Sequence, residues 1–237
     1  MKSLTEIITK NNFFYISVLL LIIACSLFLC IYSRAEGFVL MNSFHSTALT
    51  IFFKNITYCG DGLFTLILFA IIMFFFKKHR ELGLLLLIGY LSSGILSQII
   101  KNFVFSPRPN AYFAYYHPNY HLDTFLKIKS YRSFPSGHTA SVFAMSTILT
   151  NYFKKRYLYP LLLLFAVTIG YSRIYLAQHF LIDVLAGAII GVLSGTFCIL
   201  WYSKNKIKIN KIIIQLTQKL LLRMQNFKTQ DKPKANI

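Results

Sequence analysis

Acidic residues are scarce in this chain: 7 Asp and Glu stand against 25 Lys and Arg, a formal net charge of +18. Charged residues of either sign make up only 14% of the 237 positions, while 56% are apolar and 16% aromatic, outside the usual soluble range. In a soluble protein such a positive excess would suggest nucleic acid. With this apolar content it points instead to a membrane protein with basic edges, and no nucleic-acid partner is expected. Cysteine is also sparse. Cys25, Cys30, Cys59 and Cys198 fall in or near hydrophobic runs with no CxxC or Cys/His spacing, which argues against a disulfide framework, a zinc site or a redox pair. They read as small apolar side chains packed among helices.

What the chain does have is long apolar runs. A bilayer core needs ~20 apolar residues per helix, and segments 13–32, 60–76, 82–100, 139–153, 157–172 and 182–202 reach or approach that length. The expected fold is therefore all-α: a polytopic bundle of six transmembrane helices. The first run follows Lys2 and Lys10 as a signal peptide would, but it is too long for a signal core and reads as a retained anchor helix. Between the first two runs, Met41, Phe44, Ala48, Ile51, Phe52 and Ile56 recur at helical spacing, predicting one amphipathic helix lying in the interface.

Charge sets direction. With six spans and both termini in the cytoplasm, the cytoplasmic pieces hold 17 of the 25 Lys and Arg. These are Lys2 and Lys10, the three in the 77–80 turn, the three at 154–156, and nine after Trp201. The bias favours this orientation. One membrane-embedded domain is expected over 1–202, its core at 60–202, followed by a basic cytoplasmic tail over 203–237 that suits an anionic inner leaflet. The Lys, Ile, Asn and Phe richness and the topology together suit a bacterial inner membrane.

Three polar clusters interrupt the apolar pattern: KNFVFSPRP at 101–109, PSGH at 135–138, and SRIYLAQHFLID at 172–183. By parity of the spans, all three emerge on the face away from the cytoplasm, so they can build one site. His179 and Asp183 are four apart, the spacing that puts two side chains on one helix face. A carboxylate beside an imidazole fixes its tautomer and leaves the other nitrogen free to attack. The PSGH turn precedes an apolar run and marks a helix N-terminus, whose free N–H groups bind anions. There Gly137 admits a phosphate to the backbone, Ser136 adds a hydroxyl, and His138 is placed to protonate a leaving alkoxide. Lys101, Arg108 and Arg173 supply positive charge for phosphate oxygens, with Pro107 and Pro109 turning Arg108 back over the pocket. Arg34, Lys54, Lys127 and Lys129 read as interfacial residues that snorkel.

The three clusters resemble the pattern Lys-x6-Arg-Pro, Pro-Ser-Gly-His, Ser-Arg-x5-His-x3-Asp of the type-2 phosphatidic acid phosphatase superfamily, with every position filled. The resemblance covers about 60–202. It implies a helical bundle whose pocket opens at the outer leaflet. It also implies His179 as the nucleophile that becomes phosphohistidine, Asp183 as its orienting partner, and His138 as the general acid. Lys101, Arg108, Ser136, Gly137 and Arg173 would form the phosphate clamp. Neither a metal nor any other cofactor is implied, and the sequence offers no ligand cluster.

The expected partner is a membrane lipid phosphate, met in the bilayer on the periplasmic side. Among bacterial members of the family the resemblance points first to lipid A 1-phosphate, with undecaprenyl diphosphate and phosphatidylglycerol phosphate as alternatives. A phosphotransferase would use the same phosphohistidine. A transporter would need polar residues inside the spans, where only Ser92, Ser93, Ser97 and Gln98 occur. The loop between the first two clusters is rich in interfacial aromatics, from Tyr112 to Tyr131, and its His117, His121, Asp123 and Arg132 are candidates for headgroup contact.

Overall fold

The computed structural model describes residues 3–120, 122, 125 and 130–230. Among these there is no strand, only an isolated antiparallel bridge between Pro107 and Tyr131. The helices are α1 (Leu4–Lys10), α2 (Asn12–Ile31), α3 (Arg34–Asn42), α4 (Thr47–Ile56), α5 (Gly62–Phe75), α6 (Arg80–Phe103), α7 (Pro109–Tyr116), α8 (Gly137–Phe153), α9 (Leu158–Tyr175) and α10 (Leu181–Gln230).

Four helical stretches are long and apolar enough to cross a membrane: Asn12–Ile31, Lys77–Phe103, Leu158–Tyr175 and Leu181–Ile207. A fifth arises if Thr47–Gly60 and Gly62–Phe75, bent by 60° at Asp61, are taken as one span. The outward residues of α2, among them Leu19, Leu20, Leu27 and Ile31, are exposed hydrocarbon that only lipid would solvate well. This is a multi-pass membrane protein.

The fourth expected span, α8, has 17 residues, a rise of about 26 Å. It is rich in hydroxyl-bearing residues, and its position explains why. Thr139 through Ile148 are all buried, so α8 is surrounded by protein on every side and needs no lipid-facing apolar surface. Its hydroxyls bond inward, as when Ser146 donates to the Leu162 carbonyl.

The close seat of α8 against α10 comes from glycines four apart. A Cβ at Gly187, Gly191 or Gly195 would lie 2.5, 2.5 or 2.8 Å from the carbonyl oxygens of Ser136, Ala140 and Ala144. Small residues at this spacing let two helix backbones touch. The N-termini of α8 and α10 thereby come side by side. At the opposite end a buried amide and hydroxyl network closes the bundle: Asn11 Nδ2 donates to Asn151 Oδ1 at 2.7 Å, and Tyr159 donates to Asn11 Oδ1 at 2.8 Å.

One expectation is corrected here. The single interfacial helix is instead two, α3 and α4, each started by its own serine cap (Ser33 and Ser46), because the polar stretch 43–46 breaks the run. Asn42, just before that break, donates to the Ile174 and Tyr175 carbonyls and fastens α3 to the end of α9. Helix α10 runs on unbroken through 202–203.

Candidate active site

The three clusters meet at one end of the bundle, where α6, α9 and the 104–108 stretch arrive and α8 and α10 begin. Asp183 occupies the first turn of α10, and its Oδ2 accepts the Phe180 N–H at 2.9 Å, capping that helix. His179 is not on α10 as the four-residue spacing suggested. It lies just before it, after a reversal in which Ala177 takes a left-handed conformation (φ 53°). The Gln178 and His179 amides both donate to the Arg173 carbonyl there. The imidazole nevertheless reaches Asp183, with Nδ1 3.4 Å from Oδ2, because the turn brings it back alongside the first helical turn.

Ser133, which sequence reasoning missed, completes this pair. Fully buried, its hydroxyl donates a short hydrogen bond to Asp183 Oδ2 and lies 3.2 Å from His179 Nδ1. A hydroxyl has one proton. Since that proton goes to the carboxylate, Ser133 Oγ can only accept from the imidazole, which assigns the proton to Nδ1 and a free lone pair to Nε2. Burial pushes the His179 pKa down to about 3 even though Asp183 works against the shift, so the ring is neutral at physiological pH.

Next to this pair is a cluster of cations with little to balance it. Arg173 donates to Thr57 Oγ1 at 2.7 Å and to Gln178 Oε1 at 3.3 Å. Arg108 donates to that same Gln178 oxygen at 3.1 Å. One neutral amide thus bridges two guanidinium groups, and among the described residues neither is ion-paired with a carboxylate. Each Nε is buried without a partner. Lys101 donates two of its three protons to the Arg132 and Ser133 carbonyls, at 2.8 and 3.2 Å, leaving the third. Buried and half-buried cations that make no ion pair ask for an anion.

The PSGH turn faces this cluster. Ser136 caps α8, accepting from the Thr139 N–H and hydroxyl, and keeps its own proton to give. Pro135 therefore precedes the cap and does not sit in the first turn. A Cβ added to Gly137 would meet nothing within 4 Å, so open space lies above this helix N-terminus. His138 lines that space with Lys101 and Gly137. It stands within electrostatic reach of Arg173, His179, Arg108 and Lys101. The Ser136 N–H donates to the Asp183 carbonyl at 2.9 Å and locks the two motifs together.

Some expectations change. Arg34 does not snorkel into the lipid interface: its guanidinium lies 3.9 Å over the Phe180 ring and donates to Ser106 Oγ and the Pro107 carbonyl. It shares a cavity with Asp183, whose Oδ1 has no partner. Arg132 is exposed, with its carbonyl given to Lys101. His121, Asp123, Lys127 and Lys129 lie outside the described residues, as does Lys2. Arg34, Thr57, Gln178 and Ser133 carry no motif of their own, and only their place beside the clusters in sequence or space reveals them.

Comparison with known proteins gives the chain's family. The PAP2 superfamily profile matches residues 82–207. Phosphatidylglycerophosphatase B of Bacillus subtilis is 31% identical over 151 residues, 59% of this chain and 68% of that protein. A lipid A 4'-phosphatase of Bacteroides thetaiotaomicron is 44% identical over a shorter 62 residues, 26% of this chain and 28% of the relative. The crystal structure of Aquifex aeolicus LpxE superposes with a TM-score of 0.61 at 30% identity, covering 71% of this chain and 95% of that one. With more than half its length under the family profile, and the profile's extent enclosing all three polar clusters, this chain belongs to the PAP2 superfamily.

Proposed function

We propose that this protein hydrolyses a phosphate ester on a membrane lipid through a phosphohistidine, without a metal. The observation that carries the reading is the pair of guanidinium groups of buried Arg173 and half-buried Arg108, joined by one amide oxygen and left with buried, unpartnered Nε–H donors. A tetrahedral phosphate dianion supplies the missing acceptors and charge. Lys101, Ser136 and the amide of Gly137 complete the clamp, which grips hardest as charge spreads over the equatorial oxygens during transfer.

Nε2 of His179 attacks phosphorus, and the bond from phosphorus to the lipid oxygen breaks. Asp183 and Ser133 hold the ring in the Nδ1–H tautomer and stabilise the cation formed. His138 gives its proton to the departing alkoxide. The bound phosphate offsets the cations around His138, which lets that ring carry a proton when substrate is present. Water then attacks the phosphohistidine, His138 takes its proton, and inorganic phosphate leaves with His179 restored.

Lipid A 1-phosphate is our first candidate substrate and phosphatidylglycerol phosphate the second, the latter supported by the name of the Bacillus relative. We place both termini in the cytoplasm and the site on the periplasmic face of a bacterial inner membrane, on the charge bias alone. The test is to incubate the purified protein with a panel of lipid phosphates and assay inorganic phosphate. Release from at least one lipid is expected. Release from none, or transfer to a second lipid with no free phosphate, would overturn the hydrolase reading.

A further inference from the structure

A cavity of about 170 Å³ opens beside His138, the residue proposed above to protonate the leaving group. It is roomy enough for several waters. Besides Lys101, Gly137 and His138, its lining includes Asp61, Tyr90, Ser97 and Gln98. The phosphate clamp uses none of these four. Ser97 is buried to 2% exposure, and its hydroxyl finds no hydrogen-bond partner. A buried hydroxyl facing a polar cavity without a partner is costly unless something bound there satisfies it.

The neighbouring residues give the cavity its shape. A Cβ at Gly62 would lie 1.9 Å from the Tyr90 hydroxyl, so only glycine lets that hydroxyl reach the cavity wall. A Cβ at Gly94 would meet nothing within 4 Å, so α6 leaves space there. Asp61 caps α5, with Oδ1 accepting the Gly62 N–H at 2.6 Å, and it is the one carboxylate in the cavity lining among the described residues.

We propose that this cavity is a recognition subsite for the leaving group, and that it selects phosphomonoesters of a neutral, hydroxyl- or amide-bearing group over diphosphates. The inference rests on the phosphatase reading above and deepens it. Asp61 accepts from a hydroxyl or amide N–H of the leaving group, while Ser97 and Gln98 can both donate and accept. A bare hydrocarbon would leave Ser97 unsatisfied. A diphosphate would bring a second phosphate, departing with extra negative charge, against the Asp61 carboxylate, and like charges in a partly buried site repel.

The test compares three chain-matched probes: a 1-acylglycerol 3-phosphate with its free 2-hydroxyl, a simple alkyl monophosphate, and an isoprenyl diphosphate. For the wild type we expect kcat/KM for the hydroxyl-bearing monoester at least tenfold above that for either of the others. Asp61→Asn keeps the helix cap, since Asn and Asp cap equally well. It should raise diphosphate turnover severalfold relative to the monoester. Ser97→Ala and Gln98→Ala should shrink the preference for the hydroxyl-bearing probe over the alkyl phosphate. Should any variant fail to insert, Tyr90→Phe, which removes one hydroxyl, reads the same ratio. Ratios unchanged within twofold across the variants would overturn the subsite. Absence of phosphate release from all three probes, the alkyl ester included, would instead overturn the phosphatase reading itself.

Discussion

Removing the Ser133 hydroxyl should cripple the chemistry while leaving phosphate binding almost intact. In Ser133→Ala, Asp183 Oδ2 loses a hydrogen bond from a fully buried donor but keeps the Phe180 N–H at 2.9 Å and the imidazole at 3.4 Å. A buried hydrogen bond to a charged group contributes ~1.5–3 kcal/mol. If that stabilisation is felt mainly when His179 becomes cationic, then at ~1.36 kcal/mol per tenfold the rate of phosphoryl transfer falls about 10- to 150-fold. KM should stay near the wild-type value, because Ser133 meets the cation cluster only through its backbone carbonyl, which accepts from Lys101 and which the substitution keeps. Rapid-quench single-turnover measurements would give the transfer rate, and nitrogen shifts of labelled His179 would report the share of Nδ1–H tautomer. A transfer rate within twofold of wild type, or a raised KM with unchanged kcat, would refute the assignment of Ser133 to imidazole positioning.

Other expected outcomes concern titration, packing and topology. Because burial holds the His179 pKa near 3, its ring stays neutral as pH falls from 7 to 5 in the free enzyme, and any loss of kcat/KM there must come from another group or from the substrate. A histidine-labelled sample showing an imidazolium assigned to His179 at pH 5 would contradict this. Gly191→Leu should drive α8 from α10, since even a Cβ meets the Ala140 carbonyl at 2.5 Å, costing ~1–3 kcal/mol or more in overpacking and separating the two motif-bearing termini. Thermal stability in detergent and phosphate release should fall together, and a variant as stable and active as wild type would mean the contact is not tight. A reporter fused after Tyr120 should register outside the cytoplasm, and a cytoplasmic signal would reverse the orientation.

Much of the site was legible because its chemistry is written in charged and titratable residues. Lys101, Arg108, His138, Arg173, His179 and Asp183 stand out in so apolar a chain, and span parity alone brings them to one face. The apolar runs also located α2, α6, α9 and α10, whose lipid-facing sides are what hydropathy detects. What remained hidden depends on tertiary contact. Neutral residues such as Ser133, Thr57 and Gln178 are ordinary in sequence and acquire a role only when folding places them between charged groups. The spacing of His179 and Asp183 was read as one helical face, whereas the same proximity is achieved by a turn with Ala177 in the left-handed region. For Arg34 the mistake was to assume that an isolated arginine near a span end faces lipid, when it packs on Phe180 and shares a cavity with Asp183. Periodicity through 41–56 looked continuous because apolar spacing does not register the helix break that Ser46 and its neighbours impose.

The most direct measurement is to trap the covalent intermediate. Purified enzyme would be mixed with a lipid bearing a radiolabelled phosphate, quenched in alkali within one turnover, and digested for mass spectrometry. The account predicts a single phosphoryl group, stable to base and labile to acid, on His179, with none formed by His179→Ala. Label on another residue, or full turnover by His179→Ala, would contradict it.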